Sequence, residues 1–327
     1  MNIRLSPALP PLSERAFLHV VNPAAGGGRH LKTARDAVER TGGPLVESKH
    51  PGHLAEIIRE RAERDPYAHF VVYGGDGTVF EAVNGIMASG KNKTVSFSVV
   101  PAGSGNDFST HVNDSGKLEK YELTPIDAVR TLSGGKERYF VNMMNIGFDC
   151  SVVQSTLRFR SNPLLRGPAA YIAGVVKELV RKKTVDAEIV LENCVDPADG
   201  TPLSDPVRVL KQKILFTAAG NGSHCGGGFN ALPLADLSDG VLDVLAVNDV
   251  SRRTFVSLVG GYRAGTYLDE NGIPKERYRE ILSFFRCSKM TVRGPETFCL
   301  DGEVFPTGED RTVEAEVVKG ALLYAAV

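Results

Sequence analysis

The sequence lacks most of the features that usually announce a function. Its five cysteines, Cys150, Cys194, Cys225, Cys287 and Cys299, contain no CxxC pair, which argues against the common zinc frameworks. They read as small apolar core residues. Their odd number, together with the absence of a signal-peptide pattern over Met1–Glu14, predicts reduced thiols in a cytoplasmic protein. No run of about 18 uncharged apolar residues occurs, so no membrane-spanning helix is expected. Charge of one sign is also missing. The 38 Lys+Arg face 39 Asp+Glu for a formal net charge of −1, which excludes a basic nucleic-acid surface and an acidic tail. There is no GxGxxG, so a Rossmann dinucleotide site has no support. The stretch Gly85 to Asn92 mimics a P-loop, but it ends a helical pattern and has Asn92 where a hydroxyl belongs.

Glycine, by contrast, is abundant and clustered. Thirty-four of 327 residues is about 10%, against ~7% in ordinary chains. With 42% hydrophobic and 24% charged residues the chain is a globular one, long enough for about two domains. Ala16 to Val21, Pro44 to Val46, His69 to Tyr73 and Val95 to Val100 read as buried strands. Helical spacing lies between them at Leu31 to Arg40, at Leu54, Ile57 and Ile58, and from Val79 to Met87. Such alternation predicts βαβ units and a largely parallel sheet. Past residue 140 the period becomes two, in Asp186 to Glu192, Leu210 to Phe216, Val241 to Val247, Lys289 to Val292 and Thr312 to Val318. One helix, Ala169 to Arg181, interrupts them, and Asn193 to Asp205 reads as a loop. A mainly antiparallel second domain follows.

Three glycine-rich turns follow strands of the first part. Gly74-Gly75-Asp76-Gly77-Thr78 leaves a strand and opens a helix, where backbone N–H groups and the helix dipole can hold phosphate. An acid in that turn needs a metal, a hydroxyl or a backbone N–H as partner. Asn22-Pro23 with Gly26 to Gly28 is a second turn, and Gly103-Ser104-Gly105-Asn106-Asp107 a third. Turns after successive parallel strands converge at one sheet edge, where open α/β sheets bind ligands.

The runs VVNPAAGGG, YGGDGT and VPAGSGNDF, in this order, resemble the catalytic domain of the diacylglycerol kinases. They resemble more closely the soluble bacterial lipid kinases, a group with relatives of sphingosine kinase. The likeness continues through Gly220-Asn221-Gly222, Gly226-Gly227-Gly228, Leu234 to Val244 and Leu300-Asp301-Gly302-Glu303, so it spans nearly the whole chain. GGDGT alone also occurs in NAD kinases and is similar to a phosphofructokinase motif. The resemblance implies an α/β N-terminal domain with a parallel sheet of the NAD-kinase and phosphofructokinase kind, and a mainly antiparallel β-sandwich second domain. The expected extents are residues 1–138 and 139–311, with 312–327 returning to the first domain.

The resemblance also implies an ATP site in the cleft between the domains. Its nucleotide residues map onto Asn22, Pro23, Gly26, Ser48, Gly74, Gly75, Asp76, Gly77, Thr78, Glu81, Ser104, Asn106 and Asp107. Ser48 and Ser104 replace threonines of the family and keep the hydroxyl. A structural Mg²⁺ is implied at Asp239, with Asp236 and Val241 supplying carbonyls and Asp127 counted among the metal residues. Asp127, like Asp107, matches an acid that joins the network of Asp76. Read from the residues alone, Asp239 before Gly240 is a turn acid, and Asp107 or Asp127 could equally cap a helix. Asp301 is implied as the general base, with Asp76 the second catalytic acid and Glu303 a neighbour. Without the resemblance, Asp301-Gly302 reads as a hairpin turn. The histidines read as structural.

The implied reaction moves the γ-phosphoryl group of ATP, as its Mg²⁺ complex, to a lipid hydroxyl, with diacylglycerol the leading acceptor and a sphingoid base the alternative. NAD or sugar kinases are disfavoured by the LSDGVLDV and LDGE segments. A non-catalytic binder is disfavoured by the presence of both Asp76 and Asp301. A lipid substrate predicts peripheral contact with the inner face of a membrane. Between Arg158 and Lys183, seven basic residues (Arg158, Arg160, Arg166, Lys177, Arg181, Lys182 and Lys183) face one acid, Glu178, with Phe159, Leu164 and Leu165 among them. The bland reading of that segment is a helix packing Tyr171, Val175 and Leu179 into the core. The oligomeric state stays open, a homodimer included.

Overall fold

A run of strands buried on both faces organises the first half of the chain. The computed structural model describes residues 9–23, 30–160 and 168–327. Ala24 to Gly28, with the expected nucleotide residue Gly26, lie outside them, as do Leu164, Leu165 and Arg166 and the side chains of Phe159, Arg160 and Tyr171. The chain forms two compact units. The first comprises residues 1–103, 112–126 and 321–327, and the second 104–111 and 127–320.

In the first unit, β1 (Phe17–Val21), α1 (His30–Thr41), β2 (Leu45–Glu47), α2 (His53–Arg64), β3 (His69–Gly74), α3 (Asp76–Ala88) and β4 (Ser96–Pro101) alternate. The strand order is β2-β1-β3-β4, all parallel, with Phe17 opposite His69 and His69 opposite Ser96. All six residues of β3 are buried, which is why its sequence is a run of apolar and β-branched side chains rather than an alternation. Helix α2 buries Leu54, Ile58 and Ala62, one stripe at four-residue spacing. Beside β4, the C-terminal segment adds Leu323 and Tyr324 as a further parallel strand, and Tyr324 meets Phe97 edge-on at 5.1 Å.

Helix α4 (Asp107–Ser115) begins in the second unit and ends in the first. It is followed by β5 (Thr124–Ser133), β6 (Lys136–Phe140), β7 (Met143–Gly147), α5 (Phe148–Arg160), α6 (Pro168–Arg181), β8 (Val185–Glu192), β9 (Arg208–Gly220), β10 (His224–Cys225), β11 (Phe229–Asn230), β12 (Leu242–Asn248), α7 (Arg252–Ala264), β13 (Leu282–Cys287), β14 (Lys289–Arg293), β15 (Thr297–Leu300), β16 (Glu303–Pro306) and β17 (Thr312–Tyr324). The strand pairs of the second unit are antiparallel. Strand β9 is its spine, pairing β8 along its first half and β7 and β12 along its second. An apolar core of Met143, Phe148, Phe216, Leu245, Phe255 and Tyr267 lies against α7. The expected domain limit at 138 does not coincide with the division seen here. The division falls within β5, after Ile126, and of residues 312–327 only 321–327 go with the first unit.

A polar group sits at the centre of the parallel sheet. His69 is fully buried, with Nδ1 2.8 Å from Ser96 Oγ and Nε2 3.0 Å from Ser98 Oγ. Ser98 in turn donates to the Ala325 carbonyl at 2.7 Å and so ties the returning segment to β4. Burial, helped by Arg15 and His19, pushes the His69 pKa down to about 3. The folded state then holds a neutral ring that the unfolded chain protonates below about 6.5. Stability is therefore lost as pH falls from about 6.5 toward 3, at a slope approaching ~1.4 kcal/mol per pH unit. Denaturant unfolding at pH 7 and pH 5 should show the His69→Gln variant losing about 2 kcal/mol less than the wild type between the two pH values. Equal losses would refute this account of His69.

Candidate active site

Four chain segments meet at the C-terminal edge of the parallel sheet. The Ser48 amide donates to the Val21 carbonyl at 2.9 Å, the Asn22 amide to Tyr73 at 3.3 Å, and the Ala102 amide to Gly74 at 2.8 Å. The turns after β1, β2, β3 and β4 are thus hydrogen-bonded into one rim, which brings Asn22, Pro23, Ser48 and Gly74 together with the start of the third turn. Asp76, Gly77 and Thr78 form the first turn of α3, whose N-terminus has no side-chain cap from Gly75. Its leading amides and the dipole of a 13-residue helix favour an anion there. A Cβ on Gly74 would lie 2.3 Å from the Thr78 side chain, so glycine is what lets the helix fold back so closely on the strand. Glu81 lies on the same helix. Its carboxylate accepts the Gly52 and Leu54 amides at 3.0 and 3.2 Å, so within the chain it caps α2 and steadies the turn after Ser48.

Ser104, Asn106 and Asp107 belong to the second unit. Ser104 is exposed, and Asn106 takes a left-handed φ of 59° as α4 begins. Asp107 Oδ1 accepts the Gly227 amide at 2.8 Å, which docks the glycine-rich β10–β11 hairpin on the start of α4. Asp301 is buried, at 5% exposure, and so is the segment it grips. Its Oδ1 accepts the amides of Asn142 and Met143 at 3.1 and 2.9 Å, and its Oδ2 that of Val141 at 3.1 Å. Asp301 and Gly302 have φ of 46° and 88° between the paired residues Leu300 and Glu303, which makes a two-residue hairpin of the primed type. The hairpin reading of Asp-Gly and the special role of the carboxylate therefore coexist. Glu303 is exposed.

Asn142 was not legible as a site residue. Its N–H goes to Asp301, its carbonyl accepts the Asn221 and Gly222 amides at 2.9 Å each, and its Nδ2 donates to the His224 carbonyl at 2.9 Å. Glycine at 222 is required, because a Cβ there would come within 2.1 Å of Asn142 Oδ1. Asp149, at the start of α5, was missed as well. It accepts the Tyr262 hydroxyl at 3.0 Å, and burial pushes its pKa up to about 7.

At the turn expected to hold Mg²⁺, the Asp239 carboxylate and carbonyl are engaged by cations of the chain. Arg286 Nη2 pairs with Asp239 Oδ2, and Arg286 Nε donates to Asp243 Oδ1 at 2.8 Å. Asp239 Oδ1 accepts the Val241 amide at 2.9 Å, and the Asp239 carbonyl accepts Lys319 Nζ at 3.2 Å. Asp236 Oδ1 takes the amide and hydroxyl of Ser238, both at 2.9 Å. Asp127, fully buried, accepts the Gly240 and Gly320 amides at 2.6 Å each and so pins the turn that carries Asp239. Burial opposes the Arg286 charge, but Asp243 and Asp239 outweigh it and hold the pKa above its ordinary value. A guanidinium on the same carboxylate repels a divalent ion. Among the described residues no group of three His, Cys, Asp or Glu is arranged to hold a metal.

Comparison with known proteins agrees with both halves of this architecture. Residues 16–142 match the diacylglycerol kinase catalytic domain, and residues 142–322 match the YegS C-terminal NAD kinase beta sandwich-like domain. A probable lipid kinase YegS-like from Chromohalobacter salexigens is 30% identical over 71% of this chain and 70% of its own length. A diacylglycerol kinase from Mycobacterium tuberculosis is 24% identical over 80% of this chain and 82% of its own. The fold matches the crystal structure of a putative diacylglycerol kinase from Bacillus anthracis with a TM-score of 0.67 at 19% identity, covering 95% and 94% of the two chains. The chain belongs to the YegS-like lipid kinase family.

Arg286→Met should destabilise the fold by about 3–5 kcal/mol, because it leaves Asp243 and Asp239 buried without their cation. In the wild type without nucleotide, the thermal midpoint in EDTA should match that in millimolar Mg²⁺. A Mg²⁺-induced rise that disappears in Asp239→Asn would restore the metal to this site.

Proposed function

We propose that this protein transfers the γ-phosphoryl group of Mg²⁺-bound ATP to a hydroxyl of a lipid, with diacylglycerol as acceptor and phosphatidic acid as product. The observation that carries the reading is the grip on Asp301 in a chain of this family: three convergent backbone amides hold one buried carboxylate at a hairpin tip. Phosphoryl transfer asks the protein for positioning and charge stabilisation more than for covalent chemistry. In this reading the amides at the start of α3 bind phosphate, with Thr78 and the rim of Asn22, Ser48 and Gly74 shaping the nucleotide site. Asp301 accepts the proton of the attacking hydroxyl, and Asp76 meets the metal-bound phosphates through the Mg²⁺ of the substrate.

Asp301→Asn should lower kcat by about 10²–10⁴-fold, the range of a positioned base, while the thermal shift on adding Mg²⁺-ATP persists. ADP release would be followed with diacylglycerol, a sphingoid base or NAD as acceptor. Near-wild-type turnover of the variant would remove Asp301 from the role. Turnover with the sphingoid base alone would move the acceptor to the alternative class.

The acceptor lies in a membrane, and no helix among the described residues is long and apolar enough to cross one. We propose peripheral docking through α6 and α7. Val175 and Leu179 pack against the core, whereas Val176, Val180 and Val256 are 56%, 69% and 58% exposed. Arg252 joins the helices by donating to the Leu179 and Val180 carbonyls at 2.9 and 2.7 Å. Lys182 pairs with Asp249, Lys177 bonds Ser155, and Arg181 lies 3.8 Å from the buried Glu178 carboxylate; Arg181, Lys183 and Arg253 are exposed cations on and next to these helices. Sedimentation with anionic vesicles should show binding that weakens with salt and falls in the Arg181→Glu/Lys183→Glu variant. Binding insensitive to both would place the membrane contact elsewhere.

A further inference from the structure

Two histidines of the second unit converge on one serine. His111, on α4, is buried, and its Nδ1 lies 2.7 Å from Ser223 Oγ. The Ser223 backbone N–H also donates to that nitrogen, at 3.1 Å. A backbone N–H can only donate, so Nδ1 of His111 is the bare nitrogen and the ring proton sits on Nε2. The Ser223 hydroxyl then turns its own proton toward His111, which leaves Oγ as acceptor for Nδ1–H of His224 at 2.8 Å. The result is a chain of one direction, His224 to Ser223 to His111, with Ser223 buried at its centre.

The far side of this segment is held by Asn142. The His224 carbonyl accepts Asn142 Nδ2, and the Asn221 and Gly222 amides donate to the Asn142 carbonyl, while the Asn142 amide itself grips Asp301. One turn before His111 on the same helix, Asp107 holds the Gly227 amide. The segment 221–227 is thus clamped between α4 and the amides that hold Asp301.

We propose that His111, Ser223 and His224 are positioning residues for Asp301: the directional chain locks residues 221–224 onto α4, and Asn142 passes that constraint to the carboxylate. This rests on the reading of Asp301 as base. A displacement of about 1 Å at a reacting group can cost on the order of 10²-fold in rate.

Ser223→Ala and His111→Ala should each lower kcat about ten-fold or more, with KM for ATP within about three-fold of wild type. Ser223→Thr keeps the hydroxyl and His111→Asn keeps an acceptor, so both should recover most of the lost kcat. Assays would be run well below the thermal midpoint of each variant, and Asp301→Asn would be measured beside them. Alanine variants within two-fold of wild-type kcat, with Asp301→Asn inactive, would overturn the clamp and leave the base standing. A raised KM for ATP with unchanged kcat, in the conservative variants as in the alanine ones, would overturn the clamp and reassign the cluster to packing of the nucleotide loop. Full turnover in Asp301→Asn would remove the base reading and the clamp with it. If Ser223→Ala does not fold, the comparison of His111→Asn with His111→Ala decides alone.

Discussion

A buried backbone N–H without an acceptor costs about 1–3 kcal/mol, and glycine-rich turns expose many of them at once. This chain answers with carboxylates. Glu81 takes Gly52 and Leu54, Asp107 takes Gly227, Asp127 takes Gly240 and Gly320, and Asp301 takes Val141, Asn142 and Met143. Each pairing joins segments distant in sequence, so the loops are shaped by acids that come from elsewhere in the chain.

Cations complete the arrangement where carboxylates crowd. Asp243 and Arg286 face each other across β12 and β13, and Arg286 reaches on to Asp239. Lys319, beside the Gly320 amide that Asp127 holds, adds its ammonium to the Asp239 carbonyl. Buried acids at this density need opposite charge, and two side chains of the chain supply it. Arginine and lysine thus hold the turn that carries Asp239.

The chemistry is divided along the same lines. The parallel unit offers a rim of strand ends and a helix N-terminus, features that suit phosphate whatever the acceptor. The antiparallel unit holds a single carboxylate by backbone amides and surrounds α5 and α7 with an apolar core. Helix α4 carries Asp107 and His111 at four-residue spacing, so one of its faces fixes both ends of the segment 223–227.

The sequence by itself determined the order of elements, the change from parallel to antiparallel pairing, and the glycine turns with their acids. Hydrophobic period and strand-turn-helix context are local properties, and they are written in neighbouring residues. Even the Asp301-Gly302 hairpin was legible, since two left-handed residues between strands call for those side chains. Tertiary structure decided which partner each acid meets. Asn142, Arg286, Ser223 and His111 carry no motif, and each has a partner 43 to 159 residues away. It also decided that Glu81 caps a helix and that Asp239 faces a guanidinium, because those outcomes depend on which strands lie side by side. Spacing along the chain constrains contacts only within a turn or a helix. Long-range hydrogen bonds follow from sheet register and loop closure, which are properties of the whole fold.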